Sequence, residues 1–398
     1  MLKIPYTIED KSYSVFNLEY LSHHLFILTC LLPSIIPIIS FSDTQPVYFF
    51  FAIAIIILDR FKTNPNLGSF ILLLGGVFSL ILSLNTDLSS SIIRRIYSYF
   101  SVFFVVWATM ILIKKNFLNL SSLIKTIIAF LFIVTLIQNF IDKDFLTFLL
   151  SRSSSAWGRG TVGLFNEPSA LAAALVFYLI LQFILDKKFD YISLFLVSII
   201  IIFLAKSSLG LLFLLMLLGS NIFFNPRNSI ITLSSIFVLF ITLYLLTGSD
   251  SRMGRLLDLL YTQPEIILLI DQSIHDRFFA IFFSLKGFYE NYFFPNGFGA
   301  YSQAVETFVP YSEIANNSWI SKGITIMSGY GAALFELGII GIIYIIYPLI
   351  LIFNYFKKNF GAGLSLSVSL TAFMFASIPI SYPMYGLMIG ILLSKVKK

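Results

Sequence analysis

The sequence predicts an all-α polytopic membrane protein, and three observations predict it. Apolar residues make up 58% of the 398 residues, and 44 residues are Phe. Charged residues make up only 12%, where a soluble globular chain carries about a quarter. The apolar residues fall in unbroken runs near the ~20 residues that cross a bilayer. Backbone groups in lipid must be satisfied within their own segment, so these runs are helices. A β-barrel would alternate apolar and polar positions instead.

Taken in order, the runs place helices near 22–41, 46–58, 67–84, 96–113, 118–139, 168–185, 190–205, 208–224, 229–247, 331–353, 362–379 and 382–394. The second is short. The last two are separated by Pro379 and Pro383 and read also as one broken helix or a re-entrant pair, so the count is twelve, with ten or eleven as alternatives. Residues 1–398 form a single integral membrane domain in this reading, with no internal repeat. The first twenty residues are polar and the first apolar run is followed by others, so no cleavable signal peptide is expected.

Charge sets the orientation. Lys3, Lys11, Arg60, Lys62, Lys114, Lys115, Lys187, Lys188, Arg227, Lys357, Lys358, Lys395, Lys397 and Lys398 occupy one set of connections and ends, whereas the other short turns carry little beyond Arg94, Arg95 and Lys206. The basic set marks the cytoplasmic side, so both termini are expected in the cytoplasm. The net charge of +6 reflects this asymmetry and not nucleic-acid binding. The single Cys30 lies in an apolar run, which excludes a disulfide framework. Three His and no Asp-x-Asp motif leave little from which to build a metal site, and no Walker A motif indicates an ATP-driven pump.

Two long segments, 140–167 and 248–330, fall on the outer face. The second is too rich in aromatics for a disordered linker. Residues 255–270 read as an amphipathic helix interrupted at Pro264. Residues 276–290 read as another, with Phe278, Phe279, Phe282 and Phe283 on one apolar face, suited to the lipid interface. Residues 294–299, Phe-Pro-Asn-Gly-Phe-Gly, read as a turn.

Polar residues able to carry chemistry gather on that face. The first segment ends Trp157-Gly158-Arg159-Gly160-Thr161-Val162-Gly163-Leu164-Phe165-Asn166-Glu167-Pro168-Ser169. Its glycines allow close backbone approach, and Pro168 suits the first turn of a helix. A helix start near Arg159 favours an anion such as phosphate. Glu167 reads equally as a catalytic carboxylate and as a helix-start acid paired with an Arg. In His275-Asp276-Arg277, Arg277 suits bidentate contact with phosphate. His275 and Asp276 read more simply as residues solvating a helix start. Arg255 reads as membrane-flanking or substrate-binding. Lys206 places positive charge against the orientation bias. Glu336 reads as an intramembrane functional carboxylate or, more cheaply, as a partner of a helix N-terminus.

These residues resemble a family. The sequence Arg159-Gly160-x-x-Gly163-Leu164-Phe165-x-Glu167-Pro168-Ser169 is similar to a loop end of the Wzy-type O-antigen polymerases. So is Arg277 followed by an aromatic helix and then Pro295-Asn296-Gly297-Phe298-Gly299. The span start Ala332-x-x-x-Glu336-Leu337-Gly338-Ile339-Ile340-Gly341 completes the resemblance. It implies a glycosyltransferase at the periplasmic face of a bacterial inner membrane, acting on oligosaccharides linked to undecaprenyl pyrophosphate. It also implies Arg159 and Arg277 at the departing pyrophosphate, Arg255 and Lys206 in support, and Glu167 as general base. It implies no metal or other cofactor, and a membrane partner that regulates chain length. The related O-antigen ligases carry a His late in the long loop, where this chain has Met327-Ser328-Gly329-Tyr330. That departure favours the polymerase. A lipid-linked oligosaccharide flippase would carry charge through mid-membrane helices, which the first nine predicted spans nearly lack.

Overall fold

A computed structural model of the chain describes residues 18–38, 44–84, 89–115, 119–153, 160–224, 252–263, 268, 272–308 and 326–396. The predicted span 229–247 and Arg159 lie outside these residues, as does the predicted break at Pro264.

The described helices follow the apolar runs. They are α1 (Leu18–Leu31), α2 (Val47–Leu58), α3 (Leu67–Ser83), α4 (Ser90–Lys114), α5 (Leu120–Phe140), α6 (Pro168–Asp186), α7 (Tyr191–Ile199, continued by a π-helical stretch at Ile200–Leu204) and α8 (Ser208–Phe224). Beyond the second long segment come α12 (Gly329–Leu337), α13 (Ile342–Tyr355), α14 (Phe360–Ala376) and α15 (Pro383–Val396). Between them lie α9 (Arg252–Thr262), α10 (Gln272–Glu290) and α11 (Ala300–Phe308). Among the described residues, four helices are long and apolar enough to cross a membrane: Ile92–Lys114, Leu120–Phe140, Pro168–Asp186 and Gly329–Tyr355. The other apolar helices are shorter.

Boundaries depart from the sequence reading where proline intervenes. The first helix ends at Leu31 instead of running to 41, because Pro33 cannot donate to the ladder and clashes with the preceding turn. The C-terminal pair is two helices, with Pro383 opening α15.

The helix ends collect at two ends of a bundle. At one end Lys115, the residue following α4, bridges Glu19 of α1 and Asp59 after α2, the latter at 3.1 Å. Ser121 of α5 donates to Asp186 at 2.6 Å, Lys125 meets Asp190 at 2.9 Å and Lys395 donates to the Leu185 carbonyl at 3.2 Å. The lysine-rich connections lie here, so this is the basic end. The long segments return to the opposite end, the loop end. Helix α6 runs through the middle and is buried on every side, as expected of a helix that is apolar all round. Helix α15 packs on α4, where the Gly386 and Gly390 faces meet Val105 and Thr109. Such a four-residue spacing of small residues lets helices approach closely in lipid.

The Glu19–Lys115–Asp59 group latches three helix ends. Burial pushes the Asp59 carboxyl up, but hydrogen bonds from the Thr63 N–H and Lys115 outweigh it and hold it below its ordinary value of 3.8. Burial likewise lowers Lys115, but Glu19 and Asp59 raise it above 10.5. The Asp59 contribution is therefore present above pH 3.8 and lost as pH falls through its depressed value. The Lys115 contribution is present below pH 10.5 and lost as pH rises through its raised value. Thermal midpoints in detergent are expected to show no loss from this latch between about pH 5 and 9. Lys115→Ala, which strands buried Asp59, is expected to destabilise by about 3 kcal/mol. A Lys115→Ala midpoint equal to wild type would show that the latch contributes nothing.

Candidate functional site

The second long segment is seated on the loop end by the start of the 329–355 helix. Gly338 interrupts that helix with φ +60, a conformation that favours glycine. A Cβ there would lie 2.6 Å from both the Phe293 carbonyl oxygen and the Pro295 nitrogen. The Ile339 N–H donates to the Phe293 carbonyl at 2.9 Å, Asn296 N–H to Phe335 at 3.0 Å, and Gly297 N–H to the Glu336 carbonyl at 3.3 Å. The predicted turn at 294–299 thus clasps residues 335–339. Helix α10 lies alongside, with Gly287 against the Phe335 ring. Phe279, Phe283, Tyr301 and Val305 bury Phe335 in a small separate core.

The expected single apolar face of α10 is divided. Phe279 and Phe283 are buried, whereas Phe278, Phe282 and Tyr289 are exposed. The helix starts at Gln272, four residues before the predicted start. Asp276 is therefore in its second turn and is not a helix-start acid. In the same way α9 starts at Arg252 and not at 255.

Inside this seat Glu336 is 4% exposed. Its Oε2 accepts from the Tyr99 hydroxyl at 2.6 Å, and its Oε1 lies 3.3 Å from Arg95 Nε. Glu336 is the penultimate residue of α12, where the helix dipole disfavours an anion. The account as an N-terminal dipole partner therefore fails, and Arg95 supplies the compensating charge. Phe298 packs on Tyr99 with ring centroids 6.4 Å apart. Tyr301 connects this pair to α10: burial pushes its phenol up, nearby Arg95 draws it down and Asp276 raises it.

His275 is fully buried, 3.7 Å from the Asp276 carboxylate and against the Phe279 ring. Arg277 follows it and is half-buried, while Arg255 on α9 is exposed.

The first long segment forms a second group at the same end. Its last residues, 160–167, run irregularly into Pro168, which opens α6. A Cβ on Gly160 would stand 2.1 Å from the Ala205 carbonyl oxygen. This close approach lets the Thr161 N–H donate to Leu204 at 2.9 Å. The Gln138 side chain donates to the Gly163 carbonyl and accepts from its N–H, at 2.9 and 2.8 Å. Glu167 caps α6 by position; it lies 3.5 Å from Arg152 and accepts from Ser169 at 3.3 Å. Its side chain keeps 34% exposure, so it is reachable from outside the bundle. Lys206 adopts φ +48 in the α7–α8 turn and joins Gly160, Thr161 and Val162 around a cavity of about 290 Å³.

The structure thus brings Lys206 to the 160–167 loop end and places Glu336 within reach of the Asp276 helix. The sequence reading missed Arg95 and Tyr99 as the partners of Glu336, and Arg152 as the partner of Glu167. Arg95 carried the same signal as Lys206, a cation on the side where cations are scarce. Comparison of the chain with known protein families and with curated proteins yields no match.

Proposed function

We propose that the chain polymerises oligosaccharide repeat units linked to undecaprenyl pyrophosphate, at the loop end of a twelve-span bundle facing the periplasm. The observation that supports this reading best is the docking of both polar segments on one end. Among the described residues, their charged side chains gather at the loop end of an apolar bundle. In the reaction an acceptor sugar hydroxyl attacks the anomeric carbon of the donor glycan, the C–O bond to the lipid pyrophosphate breaks, and Glu167 takes the hydroxyl proton. Arg277 and Arg159 offset the negative charge that develops on the leaving pyrophosphate. Glu336 has both oxygens engaged and acts as a positioning residue through Arg95 and Tyr99.

Deletion of the gene tests the reading. Surface polysaccharide from the deletion strain is expected to show lipid A–core bearing a single repeat unit on a gel. Complementation with Arg277→Ala is expected to restore the inserted protein but no chain growth. Lipid A–core without any repeat would point to a ligase or a flippase. Long chains in the deletion strain would remove the polymerase reading altogether.

A further inference from the structure

The reaction steps proposed above assign no role to the cavity at Lys206. It lies between the end of α5, the 160–162 loop and the α7–α8 turn, lined by Gln138, Asn139, Phe140, Ile141, Lys143, Gly160, Thr161, Val162 and Lys206. Among the described residues that line it, Lys143 and Lys206 carry ammonium groups and none carries a carboxylate. The carbonyl end of α5 contributes roughly half a negative elementary charge, which the Lys206 ammonium outweighs. Thr161 is 6% exposed and its hydroxyl has no hydrogen-bond partner, though it lines a polar space. A hydroxyl in that position is suited to donate to an anion.

Two further features narrow the occupant. The volume is at the lower limit of the ~300–1,000 Å³ typical of small-molecule sites; it fits a phosphate or diphosphate and not an oligosaccharide. Its lip is apolar and open, with Phe140 74% and Ile141 81% exposed. A cationic hollow bordered by exposed apolar side chains matches an amphiphile whose charged head enters while its tail runs down the bundle.

We propose that this cavity binds the phosphate head of an anionic lipid, with Lys206 and Thr161 as the binding residues. The assignment rests on the polymerase reading only for the choice of a prenyl chain as probe; the charge and shape of the cavity stand independently.

The test is a binding titration of the purified full-length protein in detergent with farnesyl diphosphate, inorganic pyrophosphate and farnesol. Farnesyl diphosphate is expected to bind at least tenfold tighter than either other compound. Lys206→Asn, chosen because Asn tolerates a positive φ, and Thr161→Val, which keeps the side-chain shape, are each expected to weaken it at least fivefold. Thermal midpoints without ligand confirm that each variant is folded. Competition by phosphatidylglycerol at equal strength supports the site with bulk phospholipid as its source, and competition tenfold weaker supports a prenyl carrier. Unchanged binding in both variants overturns the proposal, as does farnesol or inorganic pyrophosphate binding as tightly as farnesyl diphosphate. Weakened binding in the variants beside normal long chains in the deletion strain removes the polymerase reading and leaves the cavity assignment. Unaltered binding beside a single-repeat phenotype does the reverse.

Discussion

If the chain is the polymerase proposed above, Gly160→Ala is expected to lower polymer synthesis about a hundredfold while leaving the helices of the bundle in place. The added methyl would stand 2.1 Å from the Ala205 carbonyl oxygen and 2.5 Å from that of Leu204. Both are backbone atoms, and no rotamer change relieves the clash. The loop must lift off the α7–α8 turn, which breaks the Thr161–Leu204 hydrogen bond and carries Glu167 with it. A displacement of about 1 Å at a positioned group reduces rate by about a hundredfold. Membrane levels of the variant, set against its polysaccharide ladder, separate this from a failure to fold. Wild-type ladders would show that the approach of Gly160 to Ala205 has no bearing on activity.

The second large effect is on stability. Glu336→Ala is expected to destabilise the protein by about 3 kcal/mol, because it leaves Arg95 without its counter-charge and Tyr99 without its acceptor. The figure is placed at the low end for a broken ion pair because the Arg95 side chain keeps 22% exposure. Glu336→Gln preserves an acceptor for Tyr99 and is expected to lose less. Thermal midpoints in detergent measure both, and a Glu336→Ala midpoint equal to wild type would remove the ion pair from any account of how α12 is held to α4.

How much of this was legible in the sequence depends on the range of the interaction. Helix positions were, because apolar run length decides them locally: Leu120–Phe140 and Pro168–Asp186 lie within a residue or two of the predicted 118–139 and 168–185. Proline gave the opening of α6 and, less well heeded, the early stop of α1 before Pro33. The close approach at Gly160 was visible as glycine spacing, but its object, the Ala205 carbonyl, was not. The partner of Glu336 was out of reach, since Tyr99 lies 237 residues away in sequence and no local pattern encodes that meeting. The split face of α10 was invisible for the same reason: Phe278 and Phe279 are alike in sequence, and only the position of Phe335 decides which one is covered.

The burial of α6 bears on which part of the loop end is rigid. From Leu171 to Ile184 no residue of α6 is exposed, and opening so enclosed an element demands nearly the whole free energy of unfolding. Pro168 opens this mast, and Glu167 stands just outside it. Helices α9 and α11 turn Tyr261, Ser302, Gln303 and Glu306 to the outside, while Tyr301 and Val305 tie α11 to Phe335. The first polar segment therefore ends on the most rigid element of the bundle, and any adjustment at the loop end falls to the parts that pack outside α6.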